Sequence, residues 1–123
     1  MRARTSKGIE LNVLEEHRIA LVEFRDDNLN HFTVQSLLPE LEKLMQQEDR
    51  PFDSMVLSCR RVHIMDSSGA SMVIRLHRIA AQESICLVIC ELRDQVVKSL
   101  QALNLGFAVA RYDTSTEALD AMK

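Results

Sequence analysis

Hydrophobic and polar positions change their period several times along this chain. From Gly8 to Leu14, Ile9, Leu11 and Val13 alternate with Glu10 and Asn12, which predicts a strand with one wet face. Glu15-Glu16-His17 is a short polar connection, and Arg18 to Phe24 reads as a second strand. So short a gap predicts an antiparallel hairpin. Arg25 to His31 is a polar loop with two aspartates and two asparagines. The period then lengthens: Val34, Leu37, Leu38, Leu41, Leu44 and Met45 fall on one face of a helix. Pro39 suits a first turn better than a helix interior, which places the start of the regular helix near Ser36. Asp49-Arg50-Pro51 ends it.

Met55 to Cys59 is a strand, and Arg60 to Met65 leads into Asp66-Ser67-Ser68-Gly69, where a second helix opens and runs to about Gln82. Ile85 to Cys90 is apolar throughout, as a strand buried on both faces would be. A third helix covers Arg93 to Leu103, with Val96, Val97, Leu100 and Leu103 on one side and Asn104-Leu105-Gly106 as its stop signal. Phe107 to Tyr112 is a short strand. Thr114-Ser115-Thr116-Glu117 has the spacing of a capping box for a last helix through Met122. The order β-β-α-β-α-β-α-β-α predicts an α/β sandwich, with an antiparallel N-terminal hairpin followed by parallel β-α-β units and about four helices packed on the sheet. No repeat or Gly/Ser/Pro-rich linker divides the chain, so residues 1–123 are expected to form a single domain with its core at about 8–122.

Composition narrows the function classes. A chain of 123 residues with 46% hydrophobic and 27% charged residues has the balance of a folded globular protein, so disorder throughout is excluded. Its 15 Lys and Arg against 18 Asp and Glu give a net charge of −3, far from the basic excess of a general nucleic-acid binder. Apolar runs are too short for a membrane span, and the basic Met1 to Lys7 stretch has no apolar signal core after it. A cytoplasmic protein without membrane insertion is the expectation. Cys59, Cys86 and Cys90 form no CxxC pair. Cys86 and Cys90, roughly 13 Å apart on one extended strand, cannot form a disulfide with each other. His17, His31, His63 and His77 lack ligand spacing, so neither a metal nor another cofactor is expected.

The most informative local feature is Asp66-Ser67-Ser68-Gly69 at a strand-to-helix junction. Asp and Ser are favoured N-caps because their oxygens accept from the unpaired first-turn amides, so one reading is simply a well-capped helix. The other starts from the same amides. A helix N-terminus carries about half a positive charge and accommodates an anion, including a phosphate of roughly −1.5 to −2 charges on one of the serines. A helical wheel puts Met72, Val73, Leu76, Ile79 and Ala80 on the side opposite Ser67, with Ala70, Ile74, His77 and Ala81 as a mildly apolar border beside the serines. That border serves equally as a docking surface or as a packing face for a neighbouring helix. Catalytic readings fare worse. Ser67 and Ser68 have His63 and Asp66 close in sequence, but the G-x-S-x-G elbow is missing. With only Gly8, Gly69 and Gly106, no Gly-rich phosphate loop can be built. Arg60-Arg61 could attract a phosphate or an acidic partner, though such pairs are commonly just solvated.

Val56-Leu57-Ser58-Cys59 followed by Val62-His63-Ile64-Met65-Asp66-Ser67-Ser68-Gly69 resembles the central strand and signature of the STAS family, the sulfate-transporter and anti-sigma-factor-antagonist domains. The likeness continues through Leu87-Val88-Ile89-Cys90, Val96 to Leu100 and Leu103-Asn104-Leu105, and ends on Thr116-Glu117-Ala118-Leu119. The chain departs from the pattern at Gly69-Ala70-Ser71, where the family often has G-L-G, and at Ala81-Gln82-Glu83-Ser84 in place of a glycine-rich turn.

The resemblance implies a binding module, not an enzyme. It implies an anti-sigma-factor antagonist that, when unphosphorylated, binds an anti-sigma factor that is also a serine kinase and so releases a sigma factor, with a phosphatase resetting the switch. Carried to this sequence, Ser67 is the phosphoacceptor and Ser68 the second choice. Asp66 orients the junction, and Gly69 lets a partner approach the backbone. Partner contacts are expected at Asn28, Asn30, His31, Ala70 and Ile74. The competing expectation is a constitutive interaction subunit of a transporter or other signalling complex, never phosphorylated.

Overall fold

The computed structural model describes residues 2–103 and 109–123. Its strands are β1 (Arg2–Thr5), β2 (Ile9–Leu14), β3 (Ile19–Phe24), β4 (Asn28–Leu29), β5 (Ser54–Ser58), β6 (Ile64–Met65), β7 (Cys86–Cys90) and β8 (Ala110–Tyr112). The helices are α1 (His31–Met45), α2 (Ser67–Gln82), α3 (Asp94–Ala102) and α4 (Ser115–Met122). Six strands form one mixed sheet in the order β1-β2-β3-β5-β7-β8. β1, β2 and β3 pair antiparallel, and β3, β5, β7 and β8 pair parallel. The expected sandwich of an N-terminal hairpin and parallel β-α-β units is what the chain forms.

Alternation along the strands sends side chains to two unequal layers. Leu11, Val13, Val22, Phe24, Met55, Leu57, Leu87 and Ile89 face α1, α2 and α3 and build the main core. Ile19, Val56, Val88 and Cys90 face the other way, where α4 brings Ala118, Leu119 and Met122. Thr114 caps the last helix, its side chain accepting from Glu117 N at 3.1 Å, but the Glu117 side chain does not return the bond that would complete the expected capping box.

Several expectations need correction. Residues 2–5 form an edge strand that the hydrophobic pattern does not predict. α1 starts at His31, five residues before the expected Ser36, and Pro39 lies inside it. The start is fixed by Asn30, whose side chain accepts from Phe32 N and Thr33 N while Thr33 Oγ1 accepts from Asn30 N. Pro39 is tolerated there because the carbonyl it leaves without a donor belongs to Gln35, and both residues are exposed to water. Leu103 is exposed instead of joining Val96 and Leu100 in the core. The helix stop at Asn104-Leu105-Gly106 and the first part of the last strand, at Phe107 and Ala108, lie outside the described residues.

The missing glycine-rich turn is replaced by a helix stop of another composition. After α2, Ile85 N donates to Ala80 O (2.8 Å) and Ser84 N donates to Ala81 O (3.5 Å), with Ser84 at φ 58°. This is the paired hydrogen-bond pattern that ends a helix on a left-handed residue, usually glycine.

Candidate functional site

Two short strands set up the site. β4 and β6 form a separate parallel ladder with Asn28 opposite Ile64 and Leu29 opposite Met65. Backbone bonds hold it: His63 N and Ile64 N donate to Asp27 O (2.8 and 3.1 Å), and Asp66 N donates to Leu29 O (3.2 Å). The next residue on each strand is an N-cap, Asn30 for α1 and Asp66 for α2. α1 and α2 therefore begin side by side at the same end of the ladder and pack on each other.

Asp66 does what its residue type predicts. Its Oδ1 accepts from Ser68 N (2.9 Å) and Gly69 N (3.1 Å), meeting two of the orphan donors of the first turn. Ser67 is the first helical residue and is exposed, whereas Ser68 is half-buried. A charge added to Ser67 would stand at the positive end of a helix of 16 residues, where negative charge is favoured.

The segment ahead of Asp66 is also held from the other side. Gln95 of α3 accepts from Met65 N (3.0 Å) and directs its amide nitrogen at Met65 O (3.5 Å), and the Ser99 hydroxyl donates to the same carbonyl. Side chains of α3 thus take the place of a neighbouring strand along β6. Nothing in the sequence singled out Gln95 or Ser99, which are ordinary polar residues one turn apart.

One expected contact residue, Ala70, and the expected role of Gly69 do not fit the structure. Ala70 has no exposed surface and lies in the main core, so it cannot meet a partner. Gly69 does not open the backbone to a partner either. A Cβ there would stand 2.5 Å from Leu29 O and 2.8 Å from Met65 Cγ, so the room glycine leaves is filled by this chain itself. Asn30 and Asn28 are half-buried, with the Asn30 side-chain oxygen committed to its cap and Asn28 O accepting from Thr33 Oγ1 (3.0 Å). His31 is exposed, its ring edge-on to Phe32 at 5.8 Å between centroids, and Ile74 is half-buried.

Among the described residues the two most exposed large apolar side chains are Phe32 (78% exposed) and Ile64 (51%), neither of which was among the expected contacts. They stand at the two strand-to-helix junctions, one in the first turn of α1 and one on β6. A signal was available for Phe32, which falls off the apolar stripe begun by Val34 and Leu37. His63 does not serve Ser67: its Nδ1 lies 3.1 Å from Arg61 O, and no hydrogen bond among the described residues joins it to Ser67 or Asp66. Among the described residues no group of His, Cys, Asp or Glu is gathered so as to hold a metal ion, and no helix is long and apolar enough to cross a membrane.

A mixed sheet of this topology, with an Asp-capped serine opening the helix after β6, defines a class of small α/β domain. The STAS domain profile matches residues 10–118, and the chain belongs to that family. An anti-sigma F factor antagonist of Paenibacillus polymyxa is 24% identical over 110 residues, covering 89% of this chain and 92% of that protein. Among solved structures, an anti-sigma-factor antagonist (STAS) domain protein from Planctomyces limnophilus superposes with a TM-score of 0.77 at 21% identity, over 92% of this chain and 97% of its own. The anti-sigma factor antagonist SpoIIAA in its unphosphorylated form gives 0.74 at 19% identity over 92% and 94%. The phosphorylated form from Bacillus gives 0.69 at 18% over 94% and 99%.

Proposed function

We propose that this chain is a single-domain, cytoplasmic anti-sigma-factor antagonist whose binding to an anti-sigma factor is gated by phosphate on Ser67. The observation that carries this reading is the placement of Ser67: exposed, first in α2, beside a cap already satisfied by Asp66. A relative of the same fold solved in both phosphorylated and unphosphorylated forms supports it.

The physical basis is a separation of fold from surface. Phosphate at Ser67 adds roughly −1.5 to −2 charges where the helix end tolerates them, so the domain keeps its structure. The surface a partner meets changes completely. Exposed Phe32 and Ile64 border the same end of α1 and α2 and are suited to an apolar contact. A dianion beside such a contact must be desolvated without a counter-charge when the partner docks. In this reading the anti-sigma factor is also the serine kinase, a separate phosphatase removes the phosphate, and the domain itself catalyses nothing.

The test is mass spectrometry with phosphopeptide mapping on the protein from its native cells, in growth and under stress. Phosphate on Ser67 whose occupancy changes with condition is the expected result. A serine unmodified in every condition would replace the switch with a constitutive interaction module.

A further inference from the structure

We propose that Gln95 and Ser99 of α3 are positioning residues for the Ser67 junction: through the backbone of Met65 they fix where Ile64 and Ser67 stand when a partner docks. This role rests on the reading of the junction as the gated binding surface, and adds to it the element that holds that surface in place.

β6 pairs with one strand, β4. In a parallel ladder successive residues aim their amides at alternate neighbours. Ile64 N and Asp66 N donate to Asp27 O and Leu29 O (3.1 and 3.2 Å), so the Met65 amide between them points away from β4. Met65 is buried, and a buried amide needs a protein partner. Gln95 supplies it. Its Oε1 accepts from Met65 N (3.0 Å), while its Nε2 lies 3.5 Å from Met65 O and donates to Ser99 Oγ at 3.1 Å. Ser99 completes the ring by donating to Met65 O.

The grip is confined to one side of α3. Gln95 and Ser99 stand one turn apart, whereas exposed Asp94, Lys98 and Gln101 make no side-chain hydrogen bond or ion pair among the described residues. Arg93, just ahead of the helix, reaches the same β5–β6 connection by donating to Arg60 O (3.1 Å). Val96 and Leu100 seat α3 in the main core, so Met65 is held against a fixed element. From Met65 the hold passes both ways. Ile64 precedes it, and Asp66, the cap of α2, follows. The Met65 side chain packs at the first turn of α2, where a Cβ on Gly69 would stand 2.8 Å from Met65 Cγ. Without Gln95 the Met65 amide has no partner, and the segment must shift to reach water, carrying Ile64 and Ser67 with it.

The experiment compares wild type, Gln95→Met, Ser99→Ala and Gln101→Ala as full ¹⁵N-labelled chains. Methionine keeps the length and apolar stem of glutamine without its hydrogen-bonding groups. In Gln95→Met, amide exchange at Met65 should be about tenfold faster relative to the amides of β5 and β7. The second measurement is affinity, well below Tm, for the purified protein that wild type captures from its native cells. Gln95→Met should bind about threefold to tenfold more weakly, Ser99→Ala should shift in the same direction, and Gln101→Ala should match wild type in both measurements. A merely structural tie would lower Tm and leave the affinity of the folded chain unchanged. Because both side chains act on one peptide unit, the double variant Gln95→Met/Ser99→Ala should lose less than the product of the two single losses. Wild-type exchange at Met65, wild-type affinity in Gln95→Met, or losses that multiply in the double variant would each overturn the proposal, the last by showing that Gln95 meets the partner directly. The switch is judged separately: if Ser67→Asp binds like wild type while Gln95→Met still binds weakly, the grip stands and phosphate gating fails.

Discussion

Gly69 and Leu29 are in contact through backbone: a Cβ added to Gly69 would lie 2.5 Å from the Leu29 carbonyl oxygen and 2.9 Å from Leu29 Cβ. The same carbonyl accepts from Asp66 N. Glycine in this motif thus serves the closure of α2 against β4. Because the obstructing atom is main chain, it cannot swing aside. Gly69→Ala should destabilise the domain by about 1–3 kcal/mol, the usual cost of overpacking. Urea denaturation should show a lower midpoint with an unchanged slope.

This contact also marks where sequence reasoning stopped. β2, α2 and α3 were legible from their apolar spacing, β3, β5 and β7 from short apolar runs, and α4 from the capping spacing at Thr114 to Glu117. β1 was not, since Arg-Ala-Arg-Thr shows no apolar alternation and forms a strand by pairing with the free side of β2. β4 and β6 have two residues each, too few for any period, yet they place both helix starts. The Asp66 cap was legible because capping is local chemistry. Ala70 was misplaced because a wheel drawn on one helix cannot see the neighbour that covers it.

Asp66 can be tested through its cap. Asp66→Ala removes the acceptor of Ser68 N and Gly69 N and should cost about 0.5–2 kcal/mol. Asp66→Asn keeps a capping oxygen and should retain most of that stability in the same unfolding experiment.

The cysteines should divide by burial. Burial first, and Glu91 next, push the Cys90 thiol up to about 12; burial also raises Cys59 well above the ordinary thiol range. Thiolate is the reactive form, so neither should react near neutral pH in the folded protein, while exposed Cys86 should. Maleimide labelling followed by mass measurement should add one group to the native chain and three in denaturant. Native labelling of Cys59 or Cys90 would contradict their placement.

Ser84 holds a left-handed conformation, φ 58°, at the end of α2. Non-glycine residues pay roughly 1–2 kcal/mol there, partly offset by the extra freedom glycine has when unfolded. Ser84→Gly should therefore stabilise the domain by up to about 1 kcal/mol and raise Tm by a few degrees. A lowered Tm would contradict the assigned backbone geometry.

The central claim is that charge at Ser67 controls binding without disturbing the fold. The most direct measurement takes the protein that wild type captures from its native cells, purifies it, and compares its affinity for wild type, Ser67→Ala and Ser67→Asp, with thermal melts of all three. The account predicts near-equal melts, wild-type-like binding by Ser67→Ala, and binding by Ser67→Asp weakened about tenfold or more, the scale of one uncompensated charge at a contact. Equal affinity of Ser67→Asp and wild type would contradict it, leaving Asp66 and Ser67 as the capped start of a helix and nothing more.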